Sequence, residues 1–256
     1  MLWQVRDGIG QLTFNRPEHA NALGLCSRAD MEEAFAAMAA AEVSVVLLSA
    51  HGKFFCADGD IGDFIANIAN PVSLVDELID YLSRLLRQLA SLPVPVISVI
   101  NGPVSGAGIG FALCADFVLA SDAAKLRGGY CALGLTPDLG SSYFLTRRVG
   151  AARAKEIFML NRALSAQACL DLGIVDHVYP AAQLNEAAIT LARELANGPT
   201  AAYARVKALC NQAASHDLYT HLDAEHVLML QSARSADFQE GLAAFAGQRA
   251  PHFAGR

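Results

Sequence analysis

The stretch that most constrains this chain is Ile97 to Asp116, ISVINGPVSGAGIGFALCAD. An apolar, β-branched run enters Asn101-Gly102-Pro103, and glycines at 106, 108 and 110 then open a second apolar run. That order predicts a strand, a turn and a helix start. At a helix start the first backbone N–H groups lack intrahelical partners, and glycine lets a ligand approach them closely. The stretch therefore reads as a place to bind negative charge. Residues 106–110 run G-x-G-x-G, which departs from the G-x-G-x-x-G of dinucleotide-binding turns and counts against a nicotinamide-dependent oxidoreductase. Taken alone, the glycines suit close helix packing equally well.

A second stretch, HGKFFCADGDI from His51 to Ile61, follows the strand-like Val43 to Ala50 and leads into another predicted helix, with Asp60 placed to cap it. The two stretches together are similar to the crotonase family, also called the enoyl-CoA hydratase/isomerase family, whose marks are F-C-A-G-x-D-[IL] and N-G-x-x-x-G-G-G. GLTPDLGSSY, from Gly134 to Tyr143, matches that family's G-x-x-P-x-x-G turn, and NRPEHANAL, from Asn15 to Leu23, resembles its loop beside the CoA nucleotide. The resemblance runs from the N-terminal hairpin to the tail. It implies an α/β fold, a crotonase-like spiral of ββα units over residues 1–197, then a helical region over 198–256 that serves trimer assembly. A homotrimer or dimer of trimers is the implied assembly.

Bulk properties agree with a single globular unit. A chain of 256 residues, 54% hydrophobic, buries one substantial core. With 17% charged residues and a net charge of −6, it lacks the basic excess of a nucleic-acid binder. Its apolar runs are interrupted well short of the ~20 residues a membrane span needs, and no basic presequence precedes Trp3, so the expected location is cytoplasmic, with no membrane partner. Six scattered cysteines, without C-x-x-C or zinc-like histidine spacing, read as reduced and mostly buried, and no metal is expected.

Along the chain, residues 3–14 alternate around Asp7-Gly8 and predict a hairpin. Helix is expected over 31–41 and 74–92, a buried strand over 43–49, short strands over 116–120, 125–127 and 174–179, and mainly helix after Asp138. Alternating β and α elements followed by a helical run argue an α/β core with a helical C-terminal part.

The resemblance implies an acyl-CoA thioester as substrate, with coenzyme A entering only as part of it and no separate cofactor. The thioester oxygen gains negative charge when an α-proton leaves. Carried over by position, the backbone N–H groups of Gly59 and Ala107 are the donors that stabilise it, and losing one such donor typically costs ~3 kcal/mol. The two glutamates that hydratases use to activate water correspond here to Gly110 and Tyr130, neither of which is a carboxylate base. Asp138 stands where the family's isomerases place a single acid over C2 to C4. Without the resemblance, Asp138 reads as a cap on a helix starting at Leu139.

Further substrate contacts are implied for Ala57, whose carbonyl would meet the adenine, for Ile61 and Gly106 beside the hole, and for Tyr130. Arg16 and Phe253 are placed on the nucleotide side of CoA by the same resemblance, and a solvated loop charge is the alternative for Arg16. Asp58 stands where the family has glycine in A-G-x-D, either altering the loop or projecting a charge near CoA. Asp116 and Glu77 read as surface or cap residues. The favoured reading is an isomerase that shifts a 3-enoyl-CoA double bond to the 2-position, in fatty-acid or phenylacetate breakdown. Alternatives are a hydratase using a different acid, an aromatic acyl-CoA dehalogenase or hydrolase, and a catalytically silent acyl-CoA-binding protein. Dehalogenation needs a histidine base in the middle helix, and residues 74–92 contain none.

Overall fold

The computed structural model describes residues 1–255. The chain opens with the predicted hairpin, Leu2–Arg6 (β1) and Ile9–Phe14 (β2), turned at Asp7 and Gly8, which both take positive φ. Arg28–Ala40 (α1) leads to Val45–Ala50 (β3), and the short Cys56–Ala57 (β4) leads to Ile61–Ala66 (α2) and Pro71–Ala90 (α3). Val96–Ile100 (β5), Val104–Ser105 (β6) and Ala107–Leu113 (α4) realise the strand, turn and helix predicted from the glycine-rich stretch. Phe117–Ser121 (β7), Lys125–Arg127 (β8), Ser141–Leu160 (α5), Leu164–Ser165 (β9), Ala166–Asp171 (α6) and His177–Tyr179 (β10) follow. The chain then continues through Leu184–Ala196 (α7), Thr200–Gln212 (α8), Leu218–Ala233 (α9) and Ala236–Ala246 (α10). The last strand is shorter than expected, because the N–H groups of Ile174 and Val175 turn back to the Cys169 carbonyl of α6 instead of joining the ladder.

A six-stranded sheet runs in the order β1-β2-β3-β5-β7-β10, parallel except for the opening hairpin. Strand alternation divides its apolar residues between two cores. Val45, Leu47, Ile97, Val99 and Leu119 face α7, meeting Leu184, Ala188 and Ala192. Val46, Leu48, Val96, Ile100 and Val118 point the other way, into the larger core. Burying each such side chain stabilises the fold by roughly 1.5–3 kcal/mol. The long α3 joins that larger core through Leu74, Leu78, Tyr81, Leu82, Leu85 and Leu89, spaced three and four residues apart on one face.

A second sheet, β4-β6-β8-β9, is small but positions the site. Cys56 pairs with Val104 and Ala57 with Ser105 in parallel register, so the residues that follow these strands emerge side by side. Those residues are Asp58-Gly59 and Gly106-Ala107.

Candidate active site

Local bonds fix the two loops further. Gly59 forms a parallel bridge with Leu23, the Leu23 N–H donates to the Asp58 carbonyl at 2.9 Å, and the Asp60 N–H donates to the Leu23 carbonyl at 2.8 Å. Asp60 then caps α2, accepting from the Gly62 N–H at 3.0 Å, as its sequence position predicted. Asn21 ties the 15–23 loop down by donating to the carbonyls of His51 and Phe54.

The two backbone donors predicted for the hole converge, and they already hold an oxygen. Asp58 Oδ1 accepts from the Gly59 N–H at 2.8 Å and from the Ala107 N–H at 2.9 Å. Asp58 adopts φ +87°, a backbone conformation unfavourable for a residue with a Cβ, and that twist brings its side chain back onto its own loop. Gly106 makes room for it, since a Cβ there would overlap the Asp58 carboxylate. Burial raises the Asp58 carboxyl above the ordinary aspartate range, and the two N–H bonds oppose that shift.

Asp58, Gly59 and Ala107 line a cavity of about 130 Å³ together with Ile61, Tyr130 and Asp138. Apart from Thr136, its remaining wall is apolar, with Leu23, Phe64, Leu133, Leu135 and Leu139 joined by Val75, Leu78, Ile79 and Leu82 of α3. Asp138 does not cap α5: Gly140 occupies that place, and only the Asp138 backbone carbonyl engages the helix start, accepting from the Ser141 N–H at 2.8 Å. Leu139, at φ +41°, turns the chain between them. The Asp138 side chain instead receives the Tyr130 hydroxyl on Oδ1 at 2.6 Å. Tyr130 O–H also lies 3.0 Å from Ser141 Oγ, which donates to the Gly106 carbonyl at 3.0 Å. Burial raises the Asp138 carboxyl; the Tyr130 hydrogen bond lowers it, and the nearby Asp58 charge raises it again. Burial likewise pushes the Tyr130 phenol far up, so it stays a neutral donor.

Gly110, which the resemblance matched to the first hydratase glutamate, packs against backbone. A Cβ on Gly110 would run into the Leu139 carbonyl oxygen, so the turn that delivers Asp138 to the cavity excludes any side chain at 110.

The other expected contacts lie at or beyond the edge. Ala57 and Gly106 immediately precede the lining residues, Ala57 half-buried in β4. Arg16 is neither a solvated charge nor in the cavity: its guanidinium turns inward, donating to the Ala22 carbonyl at 3.1 Å and standing 3.5 Å from Asp60. Phe253 packs near Gly241 of α10, away from the cavity lining. Asp116 is no simple surface residue; Oδ2 accepts from the Val96 N–H and from Lys207 Nζ, both at 2.8 Å. Of the cysteines, 56, 114 and 169 are buried and 26, 131 and 210 exposed, all as free thiols, so "mostly buried" holds for half of them. A larger cavity, about 550 Å³ and bordered by α5 and α8, contains none of the predicted site residues. Ser141, which closes the chain from Asp138 to Gly106, was not singled out from sequence; a lone serine after a glycine carries no distinguishing signal.

Comparison with known proteins identifies the fold and the family. The fold is that of the crotonases: an enoyl-CoA hydratase structure from Polaromonas sp. JS666 superposes with a TM-score of 0.92 at 32% identity, covering 98% of each chain. A family model described as enoyl-CoA hydratase/isomerase matches residues 4–256, and the chain belongs to that family. It is 34% identical over 258 residues to the 1,2-epoxyphenylacetyl-CoA isomerase of Escherichia coli, covering 100% of this chain and 98% of that one. It is 30% identical over 263 residues to a trans-2-decenoyl-[acyl-carrier-protein] isomerase of Streptococcus mutans, with coverage of 100% and 98%. Hydratase and isomerase names both occur among its relatives. The family acts on acyl-CoA thioesters. Among the described residues, no helix is long and apolar enough to cross a membrane, and no group of three or more His, Cys, Asp or Glu is arranged to hold a metal.

Proposed function

We propose that this chain is an acyl-CoA isomerase that moves a 3-enoyl double bond to the 2-position. The observation that carries the reading is the Asp138 carboxylate, held by Tyr130 at 2.6 Å in the same cavity as the paired N–H groups of Gly59 and Ala107. Asp138 removes a proton from C2, and the electron pair moves into the thioester to form a dienolate. The two N–H groups hold the dienolate oxygen. The same carboxyl returns the proton to C4, the electrons fall back, and the double bond rests between C2 and C3. No water and no external oxidant enters, so one acid suffices.

The hydrogen-bond chain suits a group that carries a proton between steps. With Asp138 ionised, Tyr130 and Ser141 supply two protons for three contacts, from Asp138 to Tyr130, Tyr130 to Ser141, and Ser141 to the Gly106 carbonyl. Once Asp138 has taken the substrate proton, every contact can have one. Burial eases protonation of Asp138, and the Tyr130 hydrogen bond, which favours the ionised form, opposes it. Hydration is disfavoured because Gly110 and Tyr130 supply no carboxylate and the Leu139 carbonyl excludes one at 110.

Two further parts belong to the same proposal. The substrate's CoA is bound without a separate cofactor, with Ala57, Ile61 and Gly106 flanking the thioester and Arg16 and Phe253 on the nucleotide side. The chain assembles as a homotrimer or dimer of trimers through residues 198–256, whose helices leave Tyr219, Met229 and Phe245 exposed.

Ultraviolet absorbance of the conjugated enoyl thioester tests the reaction. Conjugation should rise when the protein meets 3-enoyl-CoA and fail to rise with Asp138→Asn, by 10²–10⁴ in rate. Loss of conjugation from 2-enoyl-CoA, or full activity in the variant, overturns the assignment.

A further inference from the structure

We propose that the Asp58 carboxylate is an internal stand-in for the substrate's oxyanion: it keeps the hole occupied, and an acyl thioester binds productively only by displacing it. The inference rests on the acyl-CoA reading of the same cavity and adds a residue that decides which acyl oxygen the site accepts. The geometry is that of an occupied site. A single oxygen, Asp58 Oδ1, takes both N–H groups at 2.8 and 2.9 Å, from two loops that the β4–β6 register brings side by side. The loop keeps a residue with a Cβ at φ +87° to achieve this, and Gly106 and Gly129 leave space on either side of the carboxylate.

The consequence follows from the strength of acceptors. An ionised oxygen accepts roughly twice as strongly as a neutral one, so a ground-state thioester carbonyl competes poorly with Asp58. A dienolate oxygen competes on equal terms, and binding that strengthens only as charge develops is the kind that accelerates chemistry. Protonating Asp58 removes its advantage over the carbonyl. The groups facing it define that titration: Asp138 from the turn before α5, the neutral Tyr130 phenol from the turn after β8, and the Cys56 thiol of β4, pushed up to about 12 by burial and therefore neutral. The α3 wall contributes only Val75, Leu78, Ile79 and Leu82, and among the described residues no ion pair involves Asp58. Two carboxylates share one cavity without a cation, so joint ionisation is opposed and the Asp58 charge raises Asp138; the competent form has Asp138 ionised and the Asp58 carboxyl withdrawn from the hole.

The test isolates the carbonyl. Dissociation constants of butanoyl-CoA, a saturated and unreactive thioester, and of S-butyl-CoA, the thioether lacking the carbonyl oxygen, are measured by calorimetry between pH 5.5 and 8.5. Wild type, Asp58→Gly and Asp58→Asn are compared; glycine suits the positive φ, and asparagine retains the shape of the side chain without its charge. In wild type, the preference for thioester over thioether should shrink as pH rises. In Asp58→Gly it should be about tenfold or more greater at pH 8, and flat with pH; in Asp58→Asn it should also be flat. An equal preference in wild type and Asp58→Gly at every pH overturns the stand-in while leaving the acyl-CoA reading intact. Failure of wild type and both variants to bind either compound overturns the acyl-CoA reading, and the stand-in with it.

Discussion

The Tyr130 hydroxyl donates to Asp138 at 2.6 Å from a ring that is almost fully buried, so the carboxylate's orientation is set by a side chain that has nowhere else to go. Tyr130 belongs to a short turn after β8 that Gly129 opens at φ +87°, and Asp138 belongs to the turn that Leu139 closes at φ +41°. Two strained turns thus meet at one hydrogen bond.

Tyr130→Phe removes that donor and keeps the packing. A hydrogen bond to a charged group contributes about 1.5–3 kcal/mol, so kcat/KM for 3-enoyl-CoA should fall roughly ten- to a hundredfold near neutrality. Because the bond holds the Asp138 carboxyl down, its loss lets the carboxyl rise further, and the acid limb of the pH–rate profile should move to higher pH. A purely structural role for Tyr130 would lower the rate without moving that limb.

Gly110→Glu places the missing hydratase carboxylate in sequence but not in space. Its Cβ meets the Leu139 carbonyl oxygen, a backbone atom in the turn that carries Asp138. Overpacking of this kind costs typically about 1–3 kcal/mol, and in a chain of this size each kcal/mol lowers Tm by about 2–4 °C. The expected result is a lower Tm by thermal circular dichroism with no gain in 2-enoyl-CoA hydration. A stable variant that hydrates would show that the turn yields.

Much of this arrangement was legible in the sequence. The hairpin was written in Asp7-Gly8, the buried β3 in an unbroken Val-Val-Leu-Leu, and α3 in leucines three and four apart. The two site loops were legible through their resemblance to the family's motifs, and the strand, turn and helix start of the second also through its glycines. What escaped was decided by tertiary register. Nothing local says that Asp58 folds back to meet Ala107, forty-nine positions away; that depends on Cys56 and Ala57 pairing with Val104 and Ser105. Nor does Pro-Asp-Leu-Gly reveal whether Asp138 caps a helix or enters a cavity, since the positive φ of Leu139 is what separates the two outcomes. Asp116 was read as a surface or cap residue for the same reason: its partner, Lys207, is ninety-one positions further on.

That last pair anchors α8 to the sheet. Lys207 Nζ reaches both Asp116 and the Val94 carbonyl, and its side chain is 10% exposed against 23% for Asp116. Removing one partner of a fully buried pair costs about 3–5 kcal/mol; with Asp116 partly wet, Lys207→Ala should cost about 2–3 kcal/mol in chemical denaturation. Lys207→Ala with Asp116→Asn should recover part of the loss. An additive double variant would mean that the contact contributes nothing beyond its two residues.

If residues 198–256 form the assembly face, charge placed there should dissociate the protein. Phe245 is 86% exposed in the single chain and Met229 69%, far beyond what an isolated apolar side chain requires. Phe245→Glu with Met229→Glu should convert a trimeric or hexameric mass in sedimentation to a smaller one. A monomeric wild type at micromolar concentration would remove the assembly proposal.

The two cavity carboxyls also make stability depend on pH in a direction opposite to most aspartates. Burial holds Asp58 and Asp138 above the ordinary range in the folded chain, so across that window the native state binds protons that the unfolded chain has released. Their contribution is therefore fully present below the ordinary aspartate pKa and is lost as pH rises through the elevated folded values. Asp58→Asn with Asp138→Asn abolishes both titrations while keeping acceptors for the Gly59 and Ala107 N–H groups and for Tyr130. The difference in Tm between this double variant and wild type should accordingly grow in the variant's favour from pH 4.5 to pH 7.5, even as isomerase activity disappears. A difference that shrinks with rising pH would mean that the two carboxylates are stabilised rather than strained by the cavity, and would remove the electrostatic basis for a proton-carrying Asp138.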